Sequence, residues 1–326
     1  MKTDERILQF FAEHEGEYVS GETLAKALDV SRAAVWKVIK KLIEQGHNIT
    51  SQRHVGYRYQ SGQVLSVPMI NQLTKSDWPI RLFDTLDSTN TYAKEALTNG
   101  DILEPTMIVA NHQTAGRGRL GRQFVSPAET GLYISFALPL EVGTKVVPGL
   151  LTTGTAVAVA RAIKKTLGID LEFKWVNDLI FQSFKVGGIL TEGVMDFESQ
   201  GVSAIVVGIG LNLLRPKNLD ASLENKVGGM VDKLTVSRNT IVAAIKDEFV
   251  ALYQTYNAGD FLETYRMHNI VLDQIVTVKY GRNLVTGTAK SINNQGYLII
   301  DTGDDVITID SGEVLKVNLP ETIYRG

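Results

Sequence analysis

Along the first sixty residues the apolar positions recur at helical spacing. Ile7, Leu8, Phe10 and Phe11 make one face; Leu24, Ala27 and Leu28 follow Ser20, a residue suited to cap a second helix; Val35, Val38, Ile39 and Leu42 follow Ser31, which can cap a third. The third helix should stop near Gly46, after which NITSQRHVGYRYQ reads as two short strands about a tight turn. SGQVLSVP at 61–68, small, polar and closed by proline, marks a boundary. Beyond it, short apolar runs at 80–83, 107–110, 131–138, 171–175, 179–181, 189–195 and 203–207 predict strands, and helices are expected over 92–97, 149–167, 239–257 and 261–267. From Gln274 onward, period-2 alternation with turns at 280–281, 293–296, 302–304 and 311–312 predicts a small barrel. The pattern thus predicts an α+β protein in three parts: a helical unit with a ribbon (1–64), a mixed sheet flanked by helices (65–270) and a small β domain (271–326).

Length agrees with that division, because 326 residues exceed what one hydrophobic core usually holds. The absence of cysteine excludes disulfides, thiolate metal sites and cysteine nucleophiles, and fits a reducing compartment. No apolar run is long enough to span a bilayer, and the charged start MKTDERILQF has no signal-peptide core, so a soluble cytoplasmic protein with no membrane partner is expected.

Net charge is only −3, but its distribution changes the reading of the first part. Residues 1–30 hold three Lys/Arg against seven Asp/Glu, whereas residues 31–60 hold six against one. A helical trio whose third helix and following ribbon are basic is what a winged helix-turn-helix requires, since that helix enters the major groove and phosphates flank it. Arg32, Ala33 and Trp36 are placed to face bases, and Lys37, Lys40, Lys41, Arg53 and Arg58 to face phosphates, with Ser31 also among the expected DNA-binding residues. The alternative is a small docking module whose charges form a solvated face.

In the second part the chemistry concentrates in NHQTAGRGRLGR, 111–122. Gly116, Gly118 and Gly121 alternate with Arg117, Arg119 and Arg122, and planar guanidinium forks bind carboxylates or phosphates in bidentate fashion. The letters also satisfy G-x-G-x-x-G, yet a dinucleotide fingerprint needs a helix opening at the third glycine. Gln123-Phe124-Val125-Ser126-Pro127 is strand or turn material instead, so an anion-binding loop is the better reading. Ser88, Thr89 and Asn90 stand at a helix start, where they can cap the helix or bind a polar ligand.

GRGRLGR at 116–122, KWVNDL at 174–179, KVGGIL at 185–190 and GIGLN at 208–212 resemble the biotin protein ligases. GEYVSGETLAKALDVSRAAVWKVIKKL further resembles the bifunctional members that also repress biotin genes, and the likeness covers essentially the whole chain. It implies a winged helix-turn-helix, a ligase core like that of class II aminoacyl-tRNA synthetases and an SH3-like C-terminal barrel. The implied activity is ATP-dependent conversion of biotin to biotinyl-5′-AMP and transfer to one lysine of a biotin carboxyl carrier domain, with biotin serving both as substrate and as corepressor precursor. It also implies operator DNA as a partner and a homodimer when biotinyl-AMP is bound.

Carried over residue by residue, the resemblance puts Ser88, Thr89, Asn90, Gln113, Gly116, Arg117, Gly118, Arg119 and Lys185 at biotin, and Arg119, Arg122, Lys185 and Asn212 at ATP. Lys185, Arg117 and Arg119 are the expected catalytic cations, and Asn177 and Asp178 the expected Mg2+ ligands. The family often has proline where Val176 stands and tryptophan where Phe124 stands, and no aromatic residue between Leu214 and Leu234 is available to stack on adenine. Three rival readings are a ligase that no longer binds an operator, a lipoate or octanoate transferase, and a biotin sensor without chemistry. The set Ser88, Thr89, Asn90 and Gln113 suits a ureido ring better than a bare acyl chain.

Overall fold

The computed structural model describes residues 2–141, 143–196, 201–217, 219–319 and 324. By their internal contacts these fall into two compact units, 1–77 with 235–244, and 78–234 with 245–326.

The first unit contains α1 (Thr3–Glu13), β1 (Tyr18–Val19), α2 (Gly21–Leu28), α3 (Arg32–Glu44), β2 (Ile49–Gln52), β3 (Gly56–Tyr59) and α4 (Val67–Leu73). Ser20 and Ser31 cap α2 and α3 as expected, their hydroxyls accepting from the Thr23 and Ala34 amides. Ile7, Phe11, Leu24, Val35, Ile39 and Leu42 form the core, and Tyr59 from β3 closes it. The ribbon is a three-stranded sheet in the order β1-β3-β2. The stretch 61–68, expected as a boundary, runs into helix α4, with Pro68 in its first turn, where a missing N–H costs nothing. Residues 61–66 are instead fastened to 237–239. The Asn239 carboxamide accepts from the Ser66 amide at 2.8 Å and donates to the Val64 carbonyl at 2.8 Å, while Ser61 donates to Ser237 at 2.9 Å.

The second unit is built on a seven-stranded mixed sheet. Its strands are β4 (Ile80–Leu86), β5 (Thr106–Gln113), β6 (Gly131–Pro139), β7 (Glu172–Lys174), β8 (Asp178–Phe181), β9 (Phe184–Asp196) and β10 (Gly201–Asn212), in the order β4-β5-β6-β10-β9-β8-β7. Only β4 and β5 run parallel, as their connection through α5 (Thr89–Thr98) requires. Period-2 alternation sends Ala137 and Val206 to the face covered by α5, and Phe136 to the other, where it stacks on Phe249 with centroids 3.7 Å apart. Phe249 belongs to α8 (Arg238–Thr255), and α6 (Pro148–Leu167) donates or accepts one hydroxyl bond through Thr152 to Thr191 of β9 at 2.8 Å. The short α7 (Ala221–Glu224) and α9 (Leu262–Met267) complete the helices.

Strands β11 (Ile275–Tyr280), β12 (Asn283–Ile292), β13 (Leu298–Asp301), β14 (Val306–Ile309) and β15 (Glu313–Val317) form an antiparallel sheet ordered β14-β13-β12-β11-β15. No helix among the described residues is long and apolar enough to cross a membrane.

Asn239 is fully buried, so replacing it leaves the Ser66 amide and the Val64 carbonyl without partners. Asn239→Ala should lower the stability of the first unit by about 1–3 kcal/mol, read from chemical denaturation followed by the fluorescence of Trp36.

Candidate active site

A cavity of about 290 Å³ in the second unit gathers residues far apart in sequence. One part of its wall is neutral and polar. Ser88 caps α5 at the cavity, and Thr89, Asn90 and Gln113 are buried beside it. Gln113 Oε1 accepts from the Thr89 amide at 2.8 Å, and Gln113 Nε2 donates to Ser126 Oγ at 2.8 Å. Gly116 admits this arrangement, because a Cβ there would collide with the Phe124 carbonyl and crowd Ser126.

A second part of the wall is cationic. The loop after β5 makes a single 3-10 turn at Arg119–Gly121, with Leu120 at φ 56° and Gly121 at φ 77°, and is closed by the Gly118 amide donating to the Arg122 carbonyl at 2.7 Å. No α-helix opens at the third glycine, which removes the dinucleotide reading. Arg117, Arg119 and Arg122 all line the cavity. Arg119 donates to the Gly312 carbonyl at 2.8 Å and to Asn177 Oδ1 at 3.4 Å, and Arg122 forms an ion pair with Glu313.

The strand expected from residue 189 begins earlier, at Phe184, so Lys185 lies inside β9. Its amide donates to the Lys226 carbonyl at 2.9 Å, its carbonyl accepts from Gly228, and its ammonium meets Asp178 Oδ1 at 2.5 Å. Gly187 permits the close approach of β10, where a Cβ would meet the Gly210 carbonyl at 2.7 Å.

Lys174, on β7, is a cation that the motif reading passed over. It is 7% exposed, its Nζ donates to the Tyr324 hydroxyl at 2.8 Å and sits 4.6 Å from that ring's centre. Burial lowers its pKa to about 8, Asp178 and Glu313 working against that and Lys185 and Arg122 with it. Burial also pulls Arg119 below its ordinary value, with Asp178 and Glu313 opposing; a guanidinium nonetheless stays charged. KWVN turns tightly here, with a cis Trp175–Val176 peptide, the Trp175 indole donating to the Gly296 carbonyl at 3.0 Å and the Tyr265 hydroxyl to the Val176 carbonyl at 3.0 Å.

The third part of the wall is aliphatic. Pro216, Leu219, Leu223 and Val227 line it, so the stretch in which no aromatic residue was found contributes alkyl surface. Asn212 also lines it, 4% exposed, and its Oδ1 has no hydrogen-bond partner. The C-terminal sheet brings Gly312 and Glu313 to the site. No signal in the local pattern marks them, because their partners lie 193 residues away for Gly312 and Arg119.

In the first unit, Ser31, Arg32, Ala33, Trp36, Lys37 and Lys40 share the exposed face of α3. Trp36 is 58% exposed with Lys40 Nζ 5.7 Å from its ring, and therefore is not core. Arg53 is exposed beyond β2, and the Arg58 guanidinium lies 4.8 Å from the Tyr18 ring. Lys41, also expected to face phosphates, is drawn back to Asp4 of α1 at 2.8 Å.

Comparisons with known proteins agree with this layout. Residues 3–58 match a helix-turn-helix domain, 82–212 the biotin/lipoate A/B protein ligase family, and 271–317 the biotin protein ligase C-terminal domain. The bifunctional ligase/repressor BirA of Bacillus subtilis is 30% identical over 94% of this chain and 97% of its own length; the Escherichia coli protein of that name is 29% identical over 92% and 93%. The structure of the Aquifex aeolicus biotin protein ligase in complex with biotin and ATP is 25% identical with a TM-score of 0.60, covering 72% of this chain and 97% of its own. Fold and site therefore define a biotin/lipoate-type protein ligase core that carries a helix-turn-helix domain. The chain belongs to the biotin protein ligase family, in the form that pairs ligase and repressor.

Because burial sets the Lys174 value, its ε-carbon resonance should titrate with a midpoint near pH 8, well below the ordinary lysine value of 10.5. A pH titration by NMR on lysine-labelled protein, assigned with Lys174→Met, measures it.

Proposed function

We propose that the chain activates biotin with ATP to biotinyl-5′-AMP and transfers the biotinyl group to a lysine of a biotin carboxyl carrier domain, and that its helix-turn-helix unit represses biotin genes from an operator. The observation that carries this reading is one cavity in which Lys174, Lys185, Arg119 and Arg122 meet a neutral polar wall and an aliphatic wall.

Activation brings two anions together. The biotin carboxylate attacks the α-phosphorus, an acyl–phosphate bond forms, and the bond to the β-phosphate breaks with its electron pair leaving on pyrophosphate. Cations fixed in a partly dry site lower that barrier by meeting charge where it develops. Lys185, a compact ammonium braced by Asp178, bridges carboxylate and α-phosphate. Arg117 and Arg119 hold the carboxylate and the new acyl phosphate, and Arg122 and Lys174 take the departing phosphates. Ser88, Thr89 and Gln113 hold the ureido ring, and the unpartnered Asn212 Oδ1 accepts from the adenine amino group between Leu219, Leu223 and Val227. The acceptor lysine then attacks the acyl carbonyl and AMP leaves, so no protein nucleophile is needed.

Asp178 Oδ and Asn177 Oδ1 are hard oxygen donors at the cationic wall, and no cluster of three His, Cys, Asp or Glu is present among the described residues. That fits Mg2+, which is commonly held by one or two protein oxygens together with substrate phosphates, and which would neutralise phosphate charge there.

For repression, Arg32, Ala33 and Trp36 read bases while Lys37, Lys40, Arg53 and Arg58 meet phosphates in the cytoplasm. Biotinyl-AMP favours a homodimer, and a dimer grips two half-sites, which couples biotin supply to DNA affinity.

With labelled biotin, ATP and Mg2+ the protein should form an acid-labile acyl adenylate, and Lys185→Ala should lower its rate of formation by about 10²–10³-fold. Lys37→Ala and Lys40→Ala should each weaken binding to duplex DNA across sequences and reduce the salt slope by about one, measured by fluorescence anisotropy from low to moderate salt. Equal DNA affinity with and without biotin plus ATP would overturn the coupled repressor.

A further inference from the structure

Lys174 is a buried ammonium most of whose donors are unused. An ammonium has three N–H groups. One is engaged, donating to the Tyr324 hydroxyl at 2.8 Å, and Nζ makes no other hydrogen bond or ion pair among the described residues, although the side chain is buried and lines the cavity. The two carboxylates whose charges reach it are engaged elsewhere, Asp178 with Lys185 and Glu313 with Arg122. A cation so placed is completed by an anion that brings its own oxygens.

Tyr324 has the matching shortage. It is buried, it lines the same cavity, and it lies beyond the 271–317 stretch that matches the biotin protein ligase C-terminal domain. Its oxygen accepts from Lys174, so its own proton remains to be given, and no acceptor for it stands among the described residues. Burial, with the Asp178 and Glu313 charges, pushes the phenol above its ordinary value against the pull of Arg122, so the hydroxyl keeps that proton. The ring does a second task, since the Lys174 ammonium lies 4.6 Å from its centre, within the range of a cation–π contact. A hydroxyl that accepts a bond from a cation is also a stronger donor, because bonds in a chain polarise one another. Two N–H groups and one polarised O–H at one wall of the cavity make a seat for an anion with several oxygens.

We propose that Tyr324 is a further binding residue of the reaction, its hydroxyl and the unused Lys174 N–H groups together holding the pyrophosphate as it forms and leaves. The proposal rests on the ligase reading above. Arg122, which takes the departing phosphates in that reading, is close enough for its charge to act on both Lys174 and Tyr324, whereas the neutral wall formed by Ser88, Thr89, Asn90 and Gln113 acts on neither. Charge grows on pyrophosphate as its bond to the α-phosphorus breaks, so a donor placed there stabilises the leaving group more than it stabilises bound ATP.

The test compares the full-length protein with Tyr324→Phe, which keeps the ring against the ammonium and removes only the hydroxyl. In exchange of labelled pyrophosphate into ATP with biotin present, the variant should show a KM for pyrophosphate raised about tenfold and a rate of adenylate formation lowered about tenfold. Its KM for biotin, and its transfer from supplied biotinyl-AMP to a carrier domain, a step without pyrophosphate, should stay within about twofold. Tyr324→Ala, which also removes the ring, should lose at least as much. An unchanged pyrophosphate KM in Tyr324→Phe, a lowered ATP KM, or an equal loss in the transfer step would overturn the proposal. If Tyr324→Ala does not fold, Tyr324→Phe decides alone. Calorimetry with inorganic pyrophosphate separates the proposal from the reading beneath it: wild-type protein that binds pyrophosphate about tenfold more tightly than Tyr324→Phe, yet forms no adenylate from biotin and ATP, would sink the ligase reading and keep the anion seat.

Discussion

The second unit depends on one electrostatic constraint: several cations held close together, partly out of water, with two carboxylates among them. Lys174, Lys185, Arg119 and Arg122 would repel one another if alone, and Asp178 and Glu313 are what make their proximity tolerable. Because like charges at short range in a low-dielectric site cost several kcal/mol by order of magnitude, that arrangement is stable only while each cation has a partner. In the proposed ligase reading, anionic ligands supply the same compensation, exchanging internal partners for substrate oxygens without leaving bare charge behind.

The neutral wall obeys a different rule. There, hydroxyls and carboxamides are buried, and the Asn90 amide is held between Glu192 and Ser135. Position alone would leave such a wall ambiguous, since a hydroxyl can donate or accept. The Glu192 carboxylate removes that ambiguity for the Asn90 amide, and Gly208 leaves the space in which the amide stands.

Much of this was legible in sequence because its causes are local. Ser20, Ser31 and Ser88 cap helices through bonds spanning three residues, and Leu24, Leu28, Val35, Ile39 and Leu42 are core as their spacing predicts, although Ala25 rather than the expected Ala27 joins them and Ala27 is exposed. The α+β class followed from the same short-range signals. Pro68 misled, since proline in a first helical turn looks like a breaker when read without its neighbours. Gly187 and Gly188 lay outside the strand expected from 189, yet both are strand residues, Gly187 kept small by the approach of β10. Lys174, Glu313, Gly312 and the aliphatic stretch 216–227 were invisible because their meaning comes from partners distant in the chain.

The pinning of residues 61–66 by Ser237 and Asn239 has an evolutionary consequence. A DNA-binding head that borrows part of its framework from the start of α8 is not a cassette with a single seam. Recombination that swapped only the N-terminal stretch between relatives would inherit foreign partners for those two side chains, so head and helix start must travel as a matched pair.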